Sequence, residues 1–254
     1  MSIVLAIALL LGFILVHAIK LMRLYLILVE EDIPFSVFVC AYLRTTLVNL
    51  IIPYKLGEIY RIGVFSRTSR SLKTGFFSVL VDRFFDTLAI VFILLPFQLF
   101  IKGEVTTPVL LLFAFVICIL FTYVVFPPTY RFLNRYIIVR RKSQRSLAAL
   151  KILEVMNGWY EYVKKLVTGR YGILILFSFA AWIGEMLVLA GFYRLWGLDF
   201  TIGNFGMYIE SIVSGGSFEL KREYTVITVI VILIATIISL TANIVGRLCA
   251  KKEN

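Results

Sequence analysis

Residues 76–101 read FFSVLVDRFFDTLAIVFILLPFQLFI. About 20 apolar residues suffice to cross the ~30 Å hydrocarbon core of a bilayer, and this run is long enough. Yet Asp82, Arg83 and Asp86 stand inside it. At ~1.5 Å per residue from Phe76, Asp86 sits ~15 Å deep, near the midplane. An ionisable group there costs ~2.5–3.5 kcal/mol on insertion scales and normally faces a bundle interior. Asp82 and Asp86 share a helix face (i, i+4), while Arg83 and Asp86 are an i, i+3 pair. The stretch specifies a transmembrane helix with a charged inner face. That face is either the wall of a substrate cavity or an ion-pair network locking helices together.

The rest of the chain supports a membrane setting. Its 254 residues are 61% hydrophobic and 16% charged, against about 45–50% and 25% in soluble domains. Surface must be covered with polar groups, so a soluble enzyme is excluded. The net charge of +11 points to a lipid surface rather than to nucleic acid. Cys40, Cys118 and Cys249 lie in apolar runs without paired spacing. Neither a disulfide framework, a metal site nor a cofactor is indicated. His17, alone in the first apolar run, reads as structural. The run 2–16 is not preceded by a basic residue, and Lys20 and Arg23 follow it. That suits a first helix ending in the cytoplasm rather than a signal peptide.

Five segments read as full spans: 2–21, 76–101, 108–126, 171–196 and 224–248. Two more, 33–52 and 200–217, are apolar but interrupted. The first holds Arg44 and Asn49 and ends at Pro53. The second holds Glu210 and many Gly and Ser residues. Charge decides between crossing and re-entry. Segment 53–73 carries Lys55, Arg61, Arg67, Arg70 and Lys73 against Glu58, 5 − 1 = +4; segment 127–170 carries ten basic residues against two acidic, 10 − 2 = +8. Both belong in the cytoplasm, with the C-terminus, if both interrupted segments are re-entrant. Such backbone is tolerated only beside protein or a water-filled cavity. The expected fold is all-α and polytopic, with five full spans and two re-entrant helical segments in a single domain.

The re-entrant segments look like copies. Each runs from an acidic residue through an apolar run with a polar group to a break and a Glu/Arg pair, over 58 − 32 = 26 and 223 − 199 = 24 residues. Repeats near 32–101 and 199–248, opening to opposite sides, would form an inverted repeat. The cavity would then lie between 33–52 and 200–217, lined by Arg44, Asp86, Glu185 and Glu210. Glu185, alone near the middle of its span, reads as a proton-coupling carboxylate or a partner for Arg44 or Arg83.

The stretch NLIIPYKLGEIYR, residues 49–61, carries the most specific pattern. Pro53 ends an apolar helix, and Gly57 permits a tight turn. Glu58 and Arg61 open the next helix one turn apart. Pro-x-x-x-Gly-Glu-x-x-Arg, followed about twenty residues later by acidic-Arg-x-x-Asp, resembles the lysylphosphatidylglycerol synthase transmembrane, or flippase-like, family. Asn49, Pro53, Gly57, Glu58, Arg61, Arg83 and Asp86 match its motif. Arg222-Glu223 resembles its later Arg-Glu signature. Asp82 stands where the family usually has Glu, and Gly215-Gly216-Ser217 lacks the usual proline.

The resemblance implies a flippase that moves an anionic phospholipid or polyprenyl-phosphate headgroup across the membrane of a prokaryotic cell. Arg61 and Arg83 would attract the phosphate, with Glu58 and Asp86 holding them. Glu58 and Arg61 would gate the cavity from the cytoplasm, and Arg222 and Glu223 from outside. The alternatives are a proton- or ion-coupled solute transporter, or a non-transporting partner of a glycosyltransferase or lipid synthase. A homo-oligomer fits as well. Segment 147–167 reads as an interfacial amphipathic helix preceded by the basic run Arg140, Arg141, Lys142 and Arg145, which either attracts anionic lipid or simply fixes topology.

Overall fold

The computed structural model describes residues 3–52, 56–140 and 144–252. Pro53 and the basic Arg141 and Lys142 lie outside them. The described residues form helices α1 (Ile3–Leu28), α2 (Phe35–Ile51), α3 (Leu56–Thr68), α4 (Leu72–Phe97), α5 (Thr107–Arg140), α6 (Gln144–Val167), α7 (Tyr171–Leu195), α8 (Ile202–Ser214) and α9 (Lys221–Lys252). A π-helical turn over Gln98–Lys102 extends α4. The protein is an all-α, polytopic membrane protein in which α1, α4, α5, α7 and α9 are long and apolar enough to cross a bilayer.

Local chemistry marks several ends. Ser71 caps α4 by accepting from the Thr74 amide at 3.2 Å. Thr201 and Asn204 form a reciprocal capping box on α8, which satisfies amides that have no intrahelical partner. Gly215 closes α8 with φ +75°, in the left-handed region that glycine reaches without steric penalty.

Helices α1 and α7 pack antiparallel through small residues. A Cβ at Gly12 would meet Val188 at 2.8 Å, one at Gly184 would meet Val16 at 2.7 Å, and one at Gly191 would meet Leu9 at 2.7 Å. Lipid offers apolar side chains as good an environment as a neighbouring helix, so close van der Waals contact supplies the association.

The two interrupted segments differ in build. Residues 33–52 do not turn back on themselves. Helix α2 runs one way, and α3 is the returning leg, with Phe38 and Phe65 5.7 Å apart between ring centroids. By its positive charge, 53–73 reads as a cytoplasmic segment. Instead α3 packs against both α2 and α4, and its Arg61 is 3% exposed. Helix α8, of 13 residues, is ~20 Å long and cannot span the hydrocarbon core. It packs on α4 and α5, whereas α2 packs on α3 and α9.

Two other boundaries move. Helix α1 continues to Leu28 rather than ending at residue 21, so Arg23 as well as Lys20 lies within it. Helix α5 passes through Pro127 and Pro128 to Arg140, well beyond the expected end at residue 126. Helix α6 is held at its C-terminal half: Tyr162 donates to Glu31 at 2.9 Å, and Lys73 donates to the Gly158 carbonyl at 2.8 Å.

Apolar packing falls into two clusters. One holds Phe13, Leu94, Phe97, Phe192 and Tyr224 near the N-terminal half of α1 and the C-terminal halves of α4 and α7. The other holds Leu24, Ile27, Phe38, Phe65 and Leu174 at the opposite halves. The polar residues Lys20, Arg23, Ser178, Asp82, Asp86 and Glu185 lie in the layer between the two clusters.

Candidate substrate site

The layer is built on α4. Asp82, Arg83 and Asp86 lie ten to fourteen residues into that helix, ~15–21 Å from its start and deep within the bundle. Arg23 of α1 spans both carboxylates. Its Nε is 2.8 Å from Asp82 Oδ1, and its Nη1 is 3.1 Å from Asp86 Oδ1. The same Nη1 donates to Ser178 Oγ of α7 at 3.0 Å. Arg23 and Asp82 side chains are 2% and 1% exposed. Such burial is tolerable because each charge faces its opposite and hydrogen bonds use the remaining polar atoms.

The tip of the α2–α3 hairpin closes the cluster. Asn49 Nδ2 donates to Glu58 Oε1 at 2.6 Å. Gly57 makes this possible, since a Cβ there would stand 2.0 Å from Asn49 Oδ1 and 2.7 Å from Asn49 Cα. Arg61 Nη2 reaches Asp82 Oδ2 at 3.3 Å, and its guanidinium lies 5.7 Å from the Tyr42 ring centre. Arg83 faces Glu58 Oε1 at 3.2 Å, Asp86 Oδ2 at 3.4 Å and Asp82 Oδ2 at 3.7 Å. Three arginines meet three carboxylates, 3 − 3 = 0, so the cluster is neutral.

The charges are not equally satisfied. Glu58 Oε2, Arg61 Nε and Arg83 Nε are buried without a hydrogen-bond partner. Arg83 Nε is near Glu58, but without the geometry of a hydrogen bond. The Arg83 side chain is 40% exposed and that of Glu58 21%. Arg23 is bound through Nε and Nη1 to three partners; the Glu58–Arg83 side is open and underpaired.

A second polar group surrounds Glu185 of α7. It accepts from Lys20 Nζ at 2.6 Å, Tyr224 OH at 2.8 Å and Tyr208 OH at 3.2 Å. Its partner is Lys20, not Arg44 or Arg83, because antiparallel packing of α1 on α7 sets Lys20 beside it. Lys20 also lies 5.5 Å from the Trp182 ring centre. A third group lies at the far end of α4, where Glu210 pairs with Lys102 at 2.6 Å and accepts from Gln98.

The structure thus brings together Asn49, Gly57, Glu58, Arg61, Asp82, Arg83 and Asp86, and sets the other expected residues elsewhere. Arg44 is exposed and lies over the Tyr60 ring, 5.8 Å from its centre, because it sits on the outer face of α2. Glu210 belongs to the opposite end of the bundle from the hairpin. Arg222 is exposed and Glu223 half-buried in the first turn of α9. The expected single cavity lined by Arg44, Asp86, Glu185 and Glu210 is therefore replaced by separate polar groups. Glu58 and Arg61 lie at the inner tip of the α2–α3 hairpin, against Arg83 and Asp82 of α4.

Two central residues were missed as site members, Lys20 and Arg23. Their signal was present. Two bases one helical turn apart, followed by further apolar residues, mark a helix that continues and buries them. No curated protein and no solved structure matches the chain. Residues 1–246 match the family model described as the lysylphosphatidylglycerol synthase TM region, and the chain belongs to that family.

Proposed function

We propose that the protein is a lipid flippase that takes the phosphate of an anionic lipid at the Glu58–Arg83 face of the cluster. Its family gives it a membrane-lipid-related role. The observation that carries the finer reading is the pair of buried, unpartnered donors Arg61 Nε and Arg83 Nε. Unsatisfied groups of this kind are rare in finished protein interiors and call for a further partner. A phosphate oxyanion would accept from Arg61 and Arg83, with Arg83 providing the planar fork suited to it. Glu58 would yield Arg83 while Asn49 retains it. Arg23, bound to both, would keep Asp82 and Asp86 in position throughout. Hydrocarbon chains of the lipid would stay in the bilayer.

The α2–α3 hairpin approaches this layer from one side, and α8 lies at the other end. Alternating access would use them as gates, with Arg222 and Glu223 on the α8 side. The two differ in build, so a two-fold relation in the membrane plane would hold for their positions rather than their folds. We place the protein in a prokaryotic plasma membrane with the C-terminus cytoplasmic, binding anionic lipids without enzymatic chemistry or cofactor, alone or as a homo-oligomer. A proton-coupled solute transporter is the second reading. Against it, Lys20, Tyr208 and Tyr224 all donate to Glu185 and fix its side chain in place, which suits a structural tie better than a relay.

Reconstitution with headgroup-labelled phospholipid and polyprenyl-phosphate reporters tests the proposal. Loss of headgroup protection in liposomes containing the protein, abolished by Arg83→Gln, supports it. Solute uptake driven by a pH gradient without lipid translocation would establish the transporter instead. Neither activity would point to a non-transporting partner of a glycosyltransferase or lipid synthase.

A further inference from the structure

A polar groove of about 340 Å³ lies between α5 and α6, lined by Tyr130, Arg131, Asn157, Tyr160, Glu161 and Lys164. It is remote from the charged layer and has no part in the function proposed above. Its depth can be fixed. Tyr123 of α5 and Tyr171, the first residue of α7, share a hydrogen bond of 2.6 Å between hydroxyls. Residue 123 is thus level with the start of a membrane span. Tyr130 and Arg131, seven and eight residues further along α5, lie ~10–12 Å beyond it. That is where the headgroups of a phospholipid leaflet sit, outside the ~30 Å hydrocarbon core.

The lining carries both signs of charge. Arg131 has no ion pair among the described residues, while Lys164 meets Glu161 at 3.7 Å with both side chains about half exposed. A pair so exposed exchanges partners at little cost. Aromatic rings back the groove: Phe126 stacks on Tyr130 and on Tyr160, with centroids 6.1 and 5.2 Å apart. A purely anionic ligand would meet Glu161 as a repulsive group. A purely cationic one would meet Arg131.

We propose that this groove binds a phospholipid headgroup carrying both a phosphodiester and a primary ammonium, of the phosphatidylethanolamine class. The phosphodiester lies between Arg131 and Lys164, with the Asn157 amide in reach of it. Lys164 thereby leaves Glu161, which accepts from the ammonium. The Tyr130 and Tyr160 rings offer that cation their electron-rich faces. The lipid would fasten α6 to α5 at the membrane surface.

Native mass spectrometry of the detergent-solubilised full chain, titrated separately with phosphatidylethanolamine, phosphatidylglycerol and phosphatidylcholine, tests this. The ethanolamine lipid should bind about two- to fivefold more tightly than the other two, as expected for one partly exposed charge contact. Glu161→Gln should remove that preference, and Arg131→Gln should weaken all three lipids. Lys151→Gln, elsewhere on α6, should change nothing. These are surface substitutions, so the fold survives them. Equal or tighter binding of phosphatidylglycerol overturns the proposal, as does a preference that persists in Glu161→Gln. Binding indifferent to Arg131→Gln overturns it too. The readout is occupancy, so the result is independent of whether the protein translocates lipid.

Discussion

Arg23 of α1 donates from Nε to Asp82 of α4 at 2.8 Å across 59 residues of sequence. Its Nη1 holds Asp86 at 3.1 Å. This one side chain turns two midplane carboxylates from a liability into the fixed floor of the charged layer. Arg83, on the same helix as both, is the more exposed cation and the one free to change partners.

Arg23→Ala should be among the most destabilising substitutions in the chain. Removing one member of a buried pair costs ~3–5 kcal/mol, because the partner charges remain buried. Arg67→Ala, at an exposed position, should cost ~0–1 kcal/mol. Thermal melts of the detergent-solubilised protein, with membrane yield measured beside them, read the difference. Equal melting temperatures would mean that Arg23 does not neutralise the pair.

Arg83→Gln should separate function from stability. Asp82 keeps Arg23 and Arg61, and Asp86 keeps Arg23, so the melting temperature should fall only slightly. Lipid translocation should be lost. A variant as unstable as Arg23→Ala would show that Arg83 is a structural member of the cluster instead.

Gly57→Ala and Gly63→Ala form a matched pair within α3. A Cβ at 57 would collide with Asn49, including its backbone, whereas one at 63 meets nothing within 4 Å. The first should cost ~1–3 kcal/mol by overpacking and open the hairpin tip. The second should be neutral or stabilise α3 by ~0.5–1 kcal/mol, since alanine fixes less backbone freedom on folding. Melts and translocation rates of the two variants check both directions.

Alkaline pH should loosen the tie between α6 and Glu31 in the connection from α1 to α2. Burial, then the Glu31 carboxylate that accepts from its hydroxyl, pushes the Tyr162 phenol from 10 to about 12. The folded protein holds this proton more tightly than the unfolded chain does. The contribution is therefore complete below pH 10 and is lost as pH rises through about 12. A phenolate absorbance titration should lose this late phase in Tyr162→Phe.

Cysteine labelling should settle sidedness. In a background lacking Cys40, Cys118 and Cys249, a cysteine replacing Ser143 should react with an impermeant reagent only from the cytoplasmic side. One replacing Glu104 should react only from outside. The reverse pattern would invert the orientation and the assignment of both gates.

Legible in the local sequence are the membrane class, the five spans, and six motif residues, Asn49, Gly57, Glu58, Arg61, Arg83 and Asp86, which meet Asp82 around the hairpin tip. These follow from local quantities: apolar run length, the cost of charge at the midplane, and the spacing of Gly57, Glu58 and Arg61 before Asp82, Arg83 and Asp86. Tertiary structure decided which charges meet. Lys20 finds Glu185 across 165 residues, and Arg23 finds Asp86 across 63. A helix period gives the face on which a side chain stands, but not the helix that face will meet. Arg44 and Arg61 illustrate the limit. Both are arginines in short helices of one hairpin, yet one lies outward over Tyr60 and the other is buried against Asp82. The close approach at Gly57 and the packing of α3 on α4 set that difference, and a helix period alone gives neither.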